Sequence, residues 1–413
     1  MEKQQNSRFI LLTLMFTMMV DVMGVGLVLP LMPELFFSSS HSIMHEGIPQ
    51  FWQNLLYGFT LCVWPLAGFL GTPYFGDLSD KISRKTILIV CQMGTMLTYF
   101  LGAWAVLDKS LWLFIVARAI SGFFSGSVAI AQAMTIDISD QKNKTKNLGF
   151  LTLSFAVGIV IGPIIAGLAT RKGMWLDGTL ALPFIVAGCL ALLNTASIFC
   201  FLKKTLPSNP HAHVKLLKGF VVLFEVMKDI RTRCLLIVSL MLQLGWGLYL
   251  NTLSLVLHEN FSYTASMNAW AFTVFGTSSV IGIVVLQPIM LSQFSIDTTC
   301  LISGIVTGSL IIFSMFVHTL SIQWLVVAIA PGVQVMFYNA LLTKFSNAVE
   351  AHEQGRMMGG VDASACLAWG LNSFLVGIMV DFHLWLPLIV GGISIIMAGL
   401  YFSPIKRNAY VKH

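Results

Sequence analysis

The chain is 413 residues long, with 56% hydrophobic residues, 10% charged residues and a formal net charge of +6. A soluble domain carries about 25% charged residues, so a chain with mean hydropathy +0.82 is stable only where lipid replaces water around most of its surface. The basic residues are spread over several loops, which excludes a nucleic-acid footprint, and no phosphate-cradling glycine loop, His–Glu metal motif or nucleophile elbow is present. Direct ATP drive, enzyme catalysis, a bound cofactor and a metal centre are therefore not expected.

Apolar runs of about 20 residues cross the hydrocarbon layer as helices, because the backbone must satisfy itself within each span. Twelve such spans are predicted, at 9–36, 52–75, 86–107, 111–136, 147–170, 178–202, 234–257, 265–287, 298–317, 321–343, 357–380 and 383–403. The first is too long for a signal peptide, lacks a small-residue cleavage site and is followed by eleven more. The longest loop separates six spans from six. Residues 1–202 are one predicted half, 203–233 a cytoplasmic linker and 234–413 the other half. The linker begins with the breaker-rich LPSNPHAH, whose His211 and His213 are expected to be solvated, and continues as VKLLKGFVVLFEVMKDI, an amphipathic helix for the inner membrane surface.

With both termini inside, the cytoplasmic segments hold 20 of the 24 Lys and Arg residues; Lys109, Arg171 and Lys172 lie outside and Arg118 falls within a span. That is the asymmetry of the positive-inside rule, and it supports the span count. The seven cysteines lie in or at the ends of spans without metal-ligand spacing and read as small buried hydrophobes.

Between the second and third spans, Gly76 to Lys85 reads GDLSDKISRK, a charged aqueous turn. The corresponding turn of the second half, LQPIMLSQFSID, keeps Pro288 and Asp297 but no basic residue, so the repeat there is legible from topology only. On span four, Arg118, Gly122, Ser125, Ala129 and Gln132 follow at helical intervals, and on span seven Gln243, Gly247, Asn251, Ser254 and His258 do the same. Each stripe is small or polar and is expected to face protein or a water-filled cavity. On span five, Ser154, Gly158, Gly162 and Ala166 recur every four residues, which permits close helix crossing, gating, or both.

Asp21 and Arg118 are the ionisable residues nearest the middle of any span. A charge there costs at least about 2.5–3.5 kcal/mol on insertion scales. It persists as a fixed Asp21–Arg118 ion pair, or as a proton site whose charged form is disfavoured by burial and favoured by the guanidinium. Glu34 marks the outer end of span one. Trp246, Tyr249, Tyr338, Asn339, Trp369 and Asn372 lie deep in their spans and are candidates, with Gln132, Gln243 and Asn251, to line a substrate cavity. Spans seven to eleven contain no acid apart from Asp362, near the inner end of span eleven.

Several of these stretches resemble one family. Gly76, Leu78, Ser79, Asp80, Lys81, Arg84 and Lys85 match the loop between the second and third helices of major facilitator superfamily transporters, with Ser83 where that family usually has glycine. DVMGVGLVLPLMP in span one, with Asp21, Gly24, Gly26, Pro30 and Pro33, is similar to the first helix of tetracycline/proton antiporters and related bacterial drug exporters. RAISGFFSG in span four resembles the family pattern at Arg118 and Gly122. GIVIGPIIAG in span five resembles the antiporter signature at Gly158, Gly162, Pro163 and Gly167, with Ala166 replacing one glycine. Asp137 matches the acid at the inner end of span four, and EQGRMMGG (Glu353–Gly360) resembles the entry to span eleven.

The resemblance implies an all-α membrane protein of twelve transmembrane helices in two pseudo-symmetric six-helix bundles, working by alternating access in a bacterial cytoplasmic (inner) membrane. It implies proton-coupled export of a small amphipathic or cationic compound by a monomer whose partners are its substrate, protons and lipid. It implies coupling by Asp21 with Arg118, and gating by the helix of Gly158, Gly162, Pro163 and Gly167. It also implies an inner latch of Gly76, Asp80, Arg84, Lys85 and Asp137, in which Arg84 pairs with Asp137 and Asp80 sits near Gly359 at the start of span eleven. Proton-coupled uptake of a metabolite, such as an amino acid or metal chelate, and a non-transporting receptor or scaffold remain alternatives.

Overall fold

The computed structural model describes residues 2–38, 42–44, 47–139, 144–171, 179–202, 214, 216–317, 319–349 and 354–403. His211, His213 and Glu353 lie outside them. Among the described residues the regular structure is helical, without strands. In chain order the helices are α1 (Glu2–Val28), α2 (Met32–Phe37), α3 (Gln50–Lys81), α4 (Arg84–Leu107), α5 (Leu111–Phe123), α6 (Ser127–Ile138), α7 (Lys144–Ala169) and α8 (Leu182–Phe201). There follow α9 (Lys218–Lys228), α10 (Ile230–Phe261), α11 (Ala265–Ile281), α12 (Gln287–Gln293), α13 (Ile296–Phe313), α14 (Leu320–Ala348), α15 (Gln354–Phe382) and α16 (Leu386–Leu400). Eleven stretches, with α5–α6 and α11–α12 each counted as one, are long and apolar enough to cross a membrane. The twelfth, α16, has 15 residues, about 22 Å of helix, and is uncharged and largely apolar but shorter than the others.

Four boundaries differ from those read in the sequence. Span one breaks at Leu29–Leu31, where Pro30 and Pro33 withhold backbone donors, and resumes as α2. Gly76 to Lys81 is not a loop: α3 runs through it to Lys81, and only Ile82 and Ser83 separate it from α4. Span four is two helices meeting at Phe124–Gly126, so its polar stripe is kinked; Ser125 N–H bonds back to Gly122 O at 3.1 Å, a tightened turn of the kind that glycine and serine permit. Span eight passes through a π segment, Gly282–Leu286, before α12. There a Cβ on Gly282 would meet the backbone of Gly332, so the π segment and α14 touch main chain to main chain.

The chain divides into two compact units. One comprises Met1–Ile48, Val63–Lys218 and Tyr263–Thr273, and the other Pro49–Cys62, Gly219–Ser262 and Val274–His413. In the first unit α1 packs on α7 and α4 on α8; in the second α10 packs on α15 and α13 on α16. First with fifth and third with sixth thus recurs as seventh with eleventh and ninth with twelfth. Burial of Leu14, Met18, Leu88, Cys91, Ile130, Met134 and Ile198 ties α1, α4, α6 and α8 together. In the second unit a Cβ on Gly304 would lie 2.7 Å from Gly399 Cα, which is how α13 and α16 come close. Helix α9 buries Val226 against Gly360 of α15 and exposes Phe220, Val221 and Phe224, the apolar face of an amphipathic helix.

The α1–α7 crossing depends on glycines noted above. A Cβ on Gly158 would stand 2.7 Å from Met19 O, and one on Gly162 would overlap Met23 O. Gly162→Val is expected to cost about 1–3 kcal/mol, the usual penalty for overpacking, and to lower the thermal midpoint in detergent by several degrees. Gly149→Ala, whose Cβ meets nothing within 4 Å, is the control and is expected to leave the midpoint in place. Equal midpoints for the two variants would mean that α1 and α7 are not locked at this crossing.

Candidate functional site

Asp21 stands two turns from the C-terminal end of α1, inside its apolar stretch, and is half-buried. Gln92 Nε2 of α4 donates to its Oδ1 at 2.7 Å, and Ser127 Oγ of α6 donates to its Oδ2. Both donors are neutral, and both are fully buried. The Tyr99 hydroxyl packs where a Cβ on Gly24 would be, one helical turn from Asp21. Glycine at 24 is therefore what lets the phenol approach.

Arg118 of α5 does not pair with Asp21. Its guanidinium lies over the Trp64 ring, 5.6 Å from the centroid, and its buried Nε has no hydrogen-bond partner among the described residues. It faces a cavity of about 20 Å³ lined in part by Thr98, Tyr99, Ser121 and Phe184, which is room for about one water molecule. Tyr99 is within electrostatic reach of both Asp21 and Arg118. The arrangement is a carboxylate held by neutral donors, with a phenol between it and a desolvated cation.

Arg84, the first residue of α4, bridges two carboxylates. Its Nη2 lies 3.2 Å from Asp80 Oδ1 at the end of α3, and its Nη1 lies 3.0 Å from Asp137 Oδ2 at the end of α6. The Arg84 side chain is 13% exposed, against 41% and 44% for the acids. Lys85 donates Nζ to Phe199 O at 2.8 Å and to Leu202 O, capping the C-terminal carbonyls of α8. Gly76 has nothing within 4 Å of a would-be Cβ. Ser83 is extended, with φ −170°, so serine stands there without strain. In the second unit Asp297, in the first turn of α13, pairs with Lys344 Nζ of α14 at 2.5 Å.

Gly158, Gly162 and Pro163 face α1, with Pro163 Cδ 2.7 Å from a Cβ placed on Gly26. Gly167, near the end of α7, meets the start of α11: Ser266 Oγ donates to Gly167 O at 2.8 Å. Glu34 is not simply in water. Its carboxylate takes the Ala265 N–H at the N-terminus of α11, where the helix dipole favours an anion.

The candidate cavity residues divide. Gln132 is exposed on α6. Asn251 and Asn372 are buried and bonded to each other: Asn251 Nδ2 donates to Asn372 Oδ1 and to Ser373 Oγ, both at 2.9 Å. Asn372 Nδ2 donates to Gln243 O, and Gln243 itself is buried on α10. Trp246 stacks on Phe275 at 5.3 Å and tilts against Tyr249. The Tyr249 hydroxyl is buried without a hydrogen-bond partner among the described residues. Asn339 bonds to Gln287 at 2.8 Å. Tyr338 and Trp369 are half-buried.

Sequence reasoning missed Gln92, Ser127, Tyr99 and the Asp297–Lys344 pair. A lone amide inside the apolar run of α4 was the signal available for Gln92.

A sequence model of the Major Facilitator Superfamily matches residues 14–371. The chain is similar to the tetracycline resistance protein, class C, of Escherichia coli, at 30% identity over 194 residues, 46% of this chain and 44% of that protein. It is also similar to the class H protein of Pasteurella multocida, at 31% over 183 residues, 44% of this chain and 41% of that protein. The chain thus spans less than half the length of either relative in these matches. Its fold is similar to that of the human organic anion transporter MFSD10, with a TM-score of 0.70 at 18% identity over 96% of this chain and 99% of that one. A D-xylose–proton symporter gives 0.74 at 14% identity over 95% and 97%. With a family match over most of its length, helices long enough to span a bilayer and an acid inside the first of them, the chain is a multi-pass membrane protein that belongs to the Major Facilitator Superfamily of transporters.

Proposed function

We propose that this transporter exports a small amphipathic or cationic organic compound in exchange for protons, across a bacterial cytoplasmic membrane with both chain termini inside. The observation that carries the reading is the environment of Asp21. Two neutral donors hold the carboxylate and no cation neutralises it among the described residues. Such a group gains a proton at modest cost when water reaches it from one side, and loses it when the site opens to the other. An entering organic cation favours the ionised form, so cation and proton compete. The likeness to tetracycline resistance proteins supports export, since a membrane transporter can confer resistance by carrying the drug out of the cell.

Arg118 tunes this site rather than holding the acid. Its cavity admits one water and no organic ion. The ion pairs at the helix ends act as latches on the inner side. Arg84 ties the α3–α4 turn to α6, and Asp297 with Lys344 ties the start of α13 to α14 with the charges inverted. The second half therefore needs no basic residue in its turn. The α1–α7 crossing serves as the gating helix pair.

The reading is tested in everted membrane vesicles energised to an acid interior, with a fluorescent reporter of the gradient. Adding tetraphenylphosphonium or ethidium is expected to release protons in vesicles carrying the parent protein and not in those carrying Asp21→Asn. Equal proton release from both would remove Asp21 from the coupling step.

A further inference from the structure

A second carboxylate lies within a membrane span and has no place in the coupling site. Asp362 belongs to the apolar stretch Met357–Phe382 of α15, yet it is exposed. Among the described residues it has no hydrogen bond or ion pair. Asp362 is the sixth residue of that stretch, near its inner end, and an exposed carboxylate there faces water rather than hydrocarbon. The face of α15 that carries Asp362 is therefore wet.

Cys366 and Trp369 follow Asp362 at four and seven residues, so all three share one helix face, and both are half-buried. From the neighbouring helix α14, Tyr338 comes within electrostatic reach of both Asp362 and Cys366. Lys344 of α14, the nearest cation along that helix, is occupied by Asp297. The face thus offers one negative charge, two aromatic rings and no competing cation among these groups. A carboxylate attracts a cation at long range, and the electron-rich faces of Tyr and Trp hold it once it is desolvated. An anion meets only repulsion there.

We propose that Asp362, Tyr338 and Trp369 seat the cationic group of the transported compound, a monovalent organic cation with apolar substituents. This rests on the export reading above and names its substrate class. Asp21 then handles the proton and Asp362 the cargo, on different helices.

Cys366 supplies a native reporter. In a variant whose other cysteines are serine or alanine, a charged, membrane-impermeant thiol reagent is expected to label Cys366, because a thiol facing lipid would not meet it. Saturating tetraphenylphosphonium is expected to slow that labelling several-fold. In direct binding to detergent-purified protein, Asp362→Asn is expected to weaken tetraphenylphosphonium about tenfold or more, and Tyr338→Ala and Trp369→Ala several-fold each. Asp362→Glu keeps the charge and is expected to keep most of the affinity, which separates loss of charge from loss of fold. The proposal is overturned if Asp362→Asn binds the cation like the parent, if Cys366 is unreactive, or if the parent binds no permanent organic cation. Its failure is distinct from that of the export reading. Binding that depends on Asp362 without proton exchange would retain the seat and remove the antiport; proton exchange with unaltered cation affinity in Asp362→Asn would do the reverse.

Discussion

Asp21→Asn is expected to abolish uphill transport while leaving downhill exchange of substrate measurable. The amide keeps the shape of the carboxyl and still meets Gln92 and Ser127, so the fold and the substrate path survive. What it loses is the exchangeable proton. For a one-for-one exchange of a monovalent cation, a gradient of one pH unit supplies about 1.4 kcal/mol and sustains about a tenfold concentration ratio. The exchange moves no net charge, so the membrane potential adds nothing to it. In the variant the ratio is expected to collapse to one. Substrate affinity is expected to rise with pH in the parent, as deprotonation removes the competitor, and to be flat in the variant over the range in which Asp362 stays ionised. A sloping profile in Asp21→Asn would place the competing proton elsewhere.

Arg84→Asp is expected to slow transport about tenfold, and the double change Arg84→Asp with Asp137→Arg to recover much of it. Arg84 is nearly buried, while the two acids it holds are more than a third exposed. Each exposed pair contributes only about 0.2–1 kcal/mol to stability, so the thermal midpoint should move little. A two-state transporter near balance responds differently, because about 1.4 kcal/mol of bias shifts its populations tenfold. The readout that separates a latch from a structural brace is therefore rate without midpoint. The same exchange at Asp297 and Lys344 is expected to behave in parallel. Transport unaffected by Arg84→Asp would leave the pair a topological role only.

The fold was legible where it depends on the length of apolar runs, which is why the all-α, many-span architecture follows from composition and hydropathy. The breaks were not. Hydropathy does not register where a backbone hydrogen bond is missing, so the turn at Pro30, the kink at Phe124–Gly126 and the π segment at Gly282 passed unseen. The charged stretch Gly76–Lys81 read as loop because charge cannot lie in hydrocarbon, yet a helix that outruns the bilayer satisfies the same constraint.

Within the site, Asp21 stood out because an acid in an apolar run is expensive. Its partners did not, since Gln92 and Ser127 are neutral and come from two other helices. A fixed Asp21–Arg118 pair was one of two readings that the opposite charges left open, beside a proton site. The structure instead stacks Arg118 on Trp64, a contact with no sequence signature. Lys344 was missed because an echo of the first-half motif was sought in the same turn and with the same sign. The pair had instead moved its basic member 47 residues downstream and exchanged its charges.

The measurement that tests the central claim most directly is proton movement in proteoliposomes that hold the purified protein and an internal pH dye, under an imposed pH gradient. Organic cations, amino acids and metal chelates are added in turn, with Asp21→Asn in parallel. The account predicts that an organic cation triggers proton flux opposite in direction to its own movement, and that the variant gives none. Flux in the same direction as the substrate, or flux that persists in the variant, would contradict it.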